Sequence, residues 1–266
     1  MTKTAMSTVD KALGLLRHFS VQSPELGLSE LSRLAGYDKT TTLRCLTALE
    51  RNGFVEQDAQ SRKYRLGLAP INLAQIREQS FPVQSVIKRY LDELADALGE
   101  TAHATLITGD ALITAAISEP DRALRVYVDP SAELPAHATA SGIAITAFSS
   151  KDKQDAVVNR QDHAAFTKHT PQNAGALKKL LAECRATGVS HAHGTFEDDV
   201  IGTAAPIFGP AGTPIGAIAV AAVSMRMTPD LQNRIDQALR IAAQAITRDL
   251  GGTLPGPDQP LKETLG

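Results

Sequence analysis

The sequence predicts an α+β protein in two parts: an N-terminal winged helix-turn-helix, then an antiparallel sheet flanked by helices. Three observations carry this. Residues 28–67 read as helix, tight turn, helix and basic hairpin, through Leu28-Ser29-Glu30-Leu31, Lys39-Thr40-Thr41-Thr42-Leu43-Arg44, Asn52-Gly53-Phe54-Val55 and Arg62-Lys63-Tyr64-Arg65-Leu66-Gly67. That succession is a device for placing one helix in a DNA major groove. Further on, Gly109-Asp110 and Gly209-Pro210-Ala211-Gly212 each separate two apolar runs, the turn chemistry that joins antiparallel strands. Helical periodicities surround both hairpins, an order that belongs to α+β domains.

Each reader element has its own signal. Ser7 and Asp10 are cap residues, and Val9, Ala12, Leu13, Leu16 and Phe19 recur at helical spacing. Ser29 is placed to cap the next helix, which would bury Leu31 and Leu34 and stop at Gly36. The third helix is expected from Lys39 to Asn52 with Gly53 beyond it, Leu43, Leu46 and Leu49 inward, and Thr40, Arg44, Thr47 and Arg51 outward. Short hydroxyls at its start let backbone amides approach phosphate, and Arg44 can grip guanine bidentately. Residues 54–57 and 63–66 would pair as a wing, with Tyr64 packing on the recognition helix rather than stacking on a base. The expected DNA contacts are Ser29, Lys39, Thr40, Thr41, Thr42, Arg44, Arg62 and Lys63. A solvated helix face shows the same charge stripe, so the hairpin that follows is what favours DNA.

Beyond Gly67, residues 68–79 form a connecting helix with Leu68, Ile71, Leu73 and Ile76, punctuated by Phe81-Pro82. A longer helix follows to Gly99, with Val86, Ile87, Tyr90, Leu91, Leu94 and Leu98 inward. Strands are expected at residues 101–108, 111–118, 124–128, 203–208 and 215–223. Helices are expected through Phe148, over residues 173–187, and after the Thr228-Pro229-Asp230 start signal. The domain plan is 1–67 reader, 68–80 linker helix, 81–250 second domain and 251–266 disordered tail.

Bulk properties limit the function classes. At 266 residues, with 43% hydrophobic and 21% charged residues, the chain reads as an ordinary soluble protein. No apolar run approaches about 20 residues, and no apolar leader follows Lys3. Cys45 and Cys184 fit reduced thiols, so a cytoplasmic protein with no membrane partner is expected. Residues 1–67 hold ten Lys/Arg against seven Asp/Glu, a balance of +3 that leaves −5 on the rest.

Taken in order, Ser7-Thr8-Val9-Asp10-Lys11-Ala12-Leu13, Lys39-Thr40-Thr41, Asn52-Gly53-Phe54-Val55, Tyr64-Arg65-Leu66-Gly67, Gly99-Glu100-Thr101-Ala102-His103, residues 134–142 and Ala204-Ala205-Pro206-Ile207-Phe208 resemble the IclR family of bacterial transcriptional regulators. The resemblance implies a GAF-like effector domain over 81–250, a homodimer or dimer of dimers on double-stranded operator DNA, and a small organic or aromatic acid as effector. It places the pocket on one face of the sheet, closed by residues 137–142 and the loop before Ala204. Ala138, Thr139, Ala140, Ser141 and Gly142 would hold an anion through backbone amides, joined by His103, Thr105, Tyr127, His137, Asp198, Ala219 and Ala221. His137 would either add charge or fix the loop as a neutral ring. Relatives often carry hydroxyls on the last strand, where this chain has Ala217, Ala219, Ala221 and Ala222, so the effector is expected to present apolar surface.

Three other readings are open to the sequence. His191 and His193 share a strand face near Asp198 and Asp199, a metal-ligand pattern, but no cysteine pair or helical His-x-x-x-His accompanies it, so a solvated loop without metal is expected. Catalysis would need a nucleophile elbow, a phosphate-binding glycine loop or an acid pair, and none is present, so neither enzyme activity nor a cofactor is expected. An interaction module without DNA function would be indifferent to Lys39, Arg44 and Arg62.

Overall fold

A reciprocal cap starts the first helix. In the computed structural model, which describes residues 7–160 and 163–255, Ser7 Oγ accepts from the Asp10 amide at 3.1 Å and Asp10 accepts from the Ser7 amide at 2.9 Å. This capping box fixes α1 (Thr8–Leu16). The helix α2 (Leu28–Ala35) is capped by Gly27, whose carbonyl accepts the Glu30 and Leu31 amides. Ser29 therefore lies inside the first turn and caps nothing, a correction to the sequence reading. Gly36 (φ 68°) ends α2, and Gly53 (φ 73°) turns the chain after α3 (Lys39–Arg51); both adopt the left-handed conformation glycine tolerates best.

Leu15, Phe19, Leu31, Cys45, Leu46, Leu49, Val55 and Tyr64 form the core of this unit. Val9, Leu13, Leu34 and Leu43, expected inward, are exposed. The buried line of α1 runs through Leu15, a register that the equal apolarity of Leu13, Leu15 and Leu16 hides in the sequence. The wing is β1 (Val55–Gln57) paired antiparallel with β2 (Tyr64–Leu66). Leu26 adds a third rung, exchanging both backbone bonds with Tyr64 (2.9 and 2.8 Å). Next comes α4 (Ala69–Ser80), with Leu68, Ile71, Leu73 and Ile76 all exposed. The chain divides into two compact units between Pro82 and Val83, so α4 groups with the reader.

The second unit is a five-stranded antiparallel sheet. Its elements are α5 (Val83–Leu98), β3 (Thr101–Thr108), β4 (Ala111–Ser118), α6 (Ala140–Phe148), α7 (Lys151–Val158), α8 (Ala174–Thr187), β5 (Ser190–His193), β6 (Val200–Phe208), β7 (Pro214–Val223), one 3₁₀ turn (Ser224–Arg226) and α9 (Pro229–Asp249). Strand order is β4-β3-β7-β6-β5. Alternation sends Ala102, Ala104, Ile218 and Val220 to one face, against α5 and α9. Ala217, Ala219, Ala204 and Ala192 go to the other, against α6 with α8 behind it. The alanines let α6 lie close: a Cβ on Gly202 would stand 3.2 Å from the Ala140 methyl.

Residues 124–128 form no strand. Their carbonyls are met by side chains instead: Thr101 Oγ1 donates to Val126 O (2.7 Å) and Arg226 Nη1 to Leu124 O (3.2 Å), so no ladder is needed. Helix α7 has no counterpart in the sequence reading, because Lys-Asp-Lys-Gln-Asp carries no apolar period. Residues 251–255 are held in place, with Thr253 N donating to Gly209 O and Gly252 N to Thr247 O. The remaining expected tail, 256–266, lies outside the described residues. Among the described residues no helix is long and apolar enough to cross a membrane.

Candidate DNA interface and effector site

On α3, Lys39, Thr40, Arg44, Thr47 and Arg51 are exposed along one side, while Cys45, Leu46 and Leu49 face the core. Lys39, Arg44, Arg51, Arg62 and Lys63 form no ion pair among the described residues, so their charge is available to phosphate. Arg65 differs: it reaches Glu56 (2.6 Å) and Glu25 (3.6 Å), so its charge is answered within the unit. The wing tip is stiff. Asp58 accepts the Gln60 and Ser61 amides and the Ser61 hydroxyl, and Arg62 takes a left-handed φ of 59°.

Two expected contacts need correction. Thr42 is wholly buried and its hydroxyl donates to Asp38 O at 2.9 Å, because it falls on the core side of α3. Asp38 itself caps the helix, accepting the Thr41 amide (2.8 Å) and hydroxyl (2.7 Å), bonds that hold its carboxyl below the usual range. A phosphate at the α3 N-terminus would meet that carboxylate, so the exposed cations, not the helix amides, are suited to attract DNA.

In the second unit, the register sets His103 opposite Ala219 and Thr105 opposite both Ala217 and Thr114, on the face beneath α6. His103 Nδ1, Thr105 Oγ1, Thr114 Oγ1 and Ser141 Oγ are buried without a hydrogen-bond partner among the described residues. Such groups cost about 1–3 kcal/mol each, and four in one layer are unusual enough to ask for a ligand. Ser141 stands in the first turn of α6. There Thr139 takes the Gly142 amide through its hydroxyl (3.1 Å) and the Ile143 amide through its carbonyl, leaving the Ala140 and Ser141 amides unpaired among the described residues. Thr114 was missed because a register shift in β3–β4 between Ala104 and Thr105 moves the pairing by one residue.

Burial pushes His103 down to about 4; the ring keeps a little accessible surface but protein surrounds it. Its ordinary value is 6.5, so between pH 6.5 and 4 the unfolded chain takes up a proton that the folded chain refuses. Stability should thus fall as pH drops through that window, by at most about 3 kcal/mol, and be flat above it. Urea midpoints at pH 7 and 4.5 should differ less in His103→Phe than in the parent chain; equal differences would count against the burial of a neutral ring.

The other expected pocket residues separate. Ala138 O accepts Thr195 Oγ1, which ties the loop before β6 to the start of α6, and Ala221 stands opposite Thr101. Tyr127 is 59% exposed, because residues 124–128 are not the strand that would have aimed it inward. Asp198 is exposed on the loop. His137 donates its Nε2 hydrogen to Ala164 O (3.0 Å) and burial lowers its basicity, so it fixes the loop as a neutral ring. His191 bonds Asp236 at 2.9 Å, and no group of three or more His, Cys, Asp or Glu among the described residues is arranged to hold a metal.

This pairing of a helix-turn-helix reader with a helix-flanked sheet has matches along the chain. A family model described as IclR helix-turn-helix domain matches residues 8–59, and one described as Bacterial transcriptional regulator IclR C-terminal matches residues 77–248. The chain belongs to the IclR family of transcriptional regulators. Within it, the HTH-type transcriptional regulator XynR of Escherichia coli (strain K12) is 26% identical over 246 residues, covering 92% of this chain and 98% of that protein. A crystal structure assigned to the ICLR transcriptional regulators, from Silicibacter sp. TM1040, superposes with a TM-score of 0.89 at 40% identity, over 94% of this chain and 99% of that one. An IclR homolog from Microbacterium hydrocarbonoxydans, solved in complex with 4-hydroxybenzoate, shares the fold with a TM-score of 0.78 at 21% identity, over 92% and 99% of the two chains. The relatives named here are transcriptional regulators.

Proposed function

We propose that this IclR-family chain is a cytoplasmic, ligand-responsive regulator that binds palindromic operator DNA as a dimer or dimer of dimers and answers to a small organic acid. The observation that carries the DNA reading is the unpaired cationic face of Lys39, Arg44 and Arg51 beside the wing cations Arg62 and Lys63. Pairing of two chains would present two such faces to the half-sites of a palindrome, and the exposed apolar surface of α4 supports pairing. For the effector, the unpaired Ala140 and Ser141 amides suit a carboxylate, and the surrounding neutral hydroxyls and alanines suit a body with few charges. The 4-hydroxybenzoate held by the Microbacterium homolog supports an aromatic acid and the control of a catabolic operon.

Two measurements test this together. In gel shifts on the upstream region, Arg44→Ala should relax discrimination between operator and scrambled DNA by about 1–3 kcal/mol. Lys63→Ala should weaken both alike and lower the salt slope by about one. Equal losses on both sequences for Arg44→Ala would remove it from base recognition. In a thermal-shift screen of organic and aromatic acids, a true effector at a hundredfold its Kd adds about 2.7 kcal/mol and also changes operator affinity. A hit that does only the first is not the effector.

A further inference from the structure

The geometry points to a second ligand site, for a flat aromatic carboxylate, in a cavity bounded by the β3–β4 turn, the C-terminal half of α6 and α7. The cavity holds about 600 Å³, within the range of small-molecule pockets. It is lined by Ile145 and Thr146 of α6, by Ser149 just beyond that helix and by Pro135, Ala136 and His137 before it, but not by Ala140 or Ser141. None of the four buried unpartnered atoms beneath α6 lines it.

One wall is a run of rings. Phe196 meets Phe166 edge-on (4.9 Å), Phe166 leans on His137 (5.9 Å), and His137 stacks on His163 (4.5 Å, 17° between planes). Both histidines donate Nε2 hydrogens to backbone carbonyls, His137 to Ala164 O and His163 to Val157 O (2.7 Å). The rings are therefore fixed before any ligand arrives, which spares the ordering cost of binding. Ile107, Leu112, Ile145 and Val157 add apolar surface to the lining. Phe166 nonetheless stays 43% exposed, an open aromatic face where a ring built only for packing would be covered. A planar ring can stack there.

Charge sets the orientation. Lys153 and Arg160 border the cavity from the α7 side, and Asp110 and Glu133 border it from the β4 side. Lys153 has no ion pair among the described residues, so a carboxylate is drawn toward α7 and repelled from the hairpin. An aliphatic acid would meet the same charges but could not stack.

Calorimetric titration of the full chain with sodium benzoate tests the site, with cyclohexanecarboxylate and benzylamine as comparison probes. Lys153→Glu, Phe166→Ala and the cavity-filling Ala156→Phe should each weaken benzoate binding at least tenfold. Lys153 and Ala156 are exposed, so those two variants test the site without disturbing the fold. Ser141→Val should leave this binding within twofold, and both comparison probes should bind at least fivefold more weakly than benzoate. Benzoate affinity unchanged in all three cavity variants overturns the proposal, as does benzylamine or cyclohexanecarboxylate binding equally well. Loss only in Ser141→Val assigns benzoate to the α6 N-terminus, which overturns this site and leaves the proposed function standing.

Discussion

Arg226→Ala is expected to destabilise the second unit by about 3–5 kcal/mol, more than the reciprocal change Glu100→Gln. The Glu100 side chain is 1% exposed and takes a two-pronged contact from Arg226, Nε at 2.7 Å and Nη2 at 2.6 Å. The one other cation paired with it among the described residues, Arg122, stands 3.9 Å away and is half exposed. Removing Arg226 therefore leaves a carboxylate enclosed in protein with one loose partner, the situation in which a broken buried pair costs most. Glu100→Gln instead leaves a guanidinium whose side chain is 24% exposed; it can turn to water and still bond the amide oxygen. Arg226 also anchors Leu124 O, a contact that is lost with it while Thr101 still holds Val126 O. Urea titration of both variants reads the asymmetry, and equal midpoint losses would mean that Glu100 is wetter than its surroundings indicate.

That pair was invisible in the sequence, where Glu100 and Arg226 are 126 positions apart. What was readable was local punctuation. Gly36, Gly53 and Gly99 all take positive φ at the helix ends where they were expected, and Gly188 does so after α8, since no other residue ends a helix that way so cheaply. The hairpin turns at Gly109-Asp110 and Gly209–Pro214 followed from the same chemistry, and the sheet's antiparallel pairing followed from them. Register and facing were harder. Val9 and Leu13 keep a helical period yet stay exposed, because periodicity gives a face without saying what covers it. Residues 124–128 have strand-like side chains, but Thr101 and Arg226 meet their carbonyls. In the polar layer beneath α6, His103, Thr105 and Ser141 were readable from alternation and motif, whereas Thr114 depended on a one-residue slip no pattern announces. The ring cluster was unreadable as a site: His163 and Phe166 lie in an aperiodic stretch, and only tertiary packing brings them to His137.

The second large effect is expected at Gly142, in the first turn of α6. A Cβ there would stand 2.5 Å from Ala136 Cα, 2.6 Å from its oxygen and 2.8 Å from its carbonyl carbon. All three are backbone atoms, so no side chain can swing aside, and the turn at 135–139 must move or α6 must tilt. Overpacking of this kind costs about 1–3 kcal/mol and more where the backbone resists. Gly142→Ala should reach the upper end, because the Gly142 amide is also the one that the Thr139 cap holds. Gly14 is the contrasting case: it lies inside α1, and a Cβ would meet only the Tyr37 hydroxyl at an ordinary 3.6 Å. Gly14→Ala should therefore stabilise the reader by about 0.5–1 kcal/mol through helix propensity. Two glycine-to-alanine changes in helices of one chain should thus move stability in opposite directions. They also divide the functions: operator binding without effector should survive in both, while the response to an organic acid should be lost in Gly142→Ala alone, since the displaced turn carries the Ala140 and Ser141 amides with it. Retention of that response in a destabilised Gly142→Ala protein would detach the effector from the start of α6 and return the choice of pocket to the rest of the sheet.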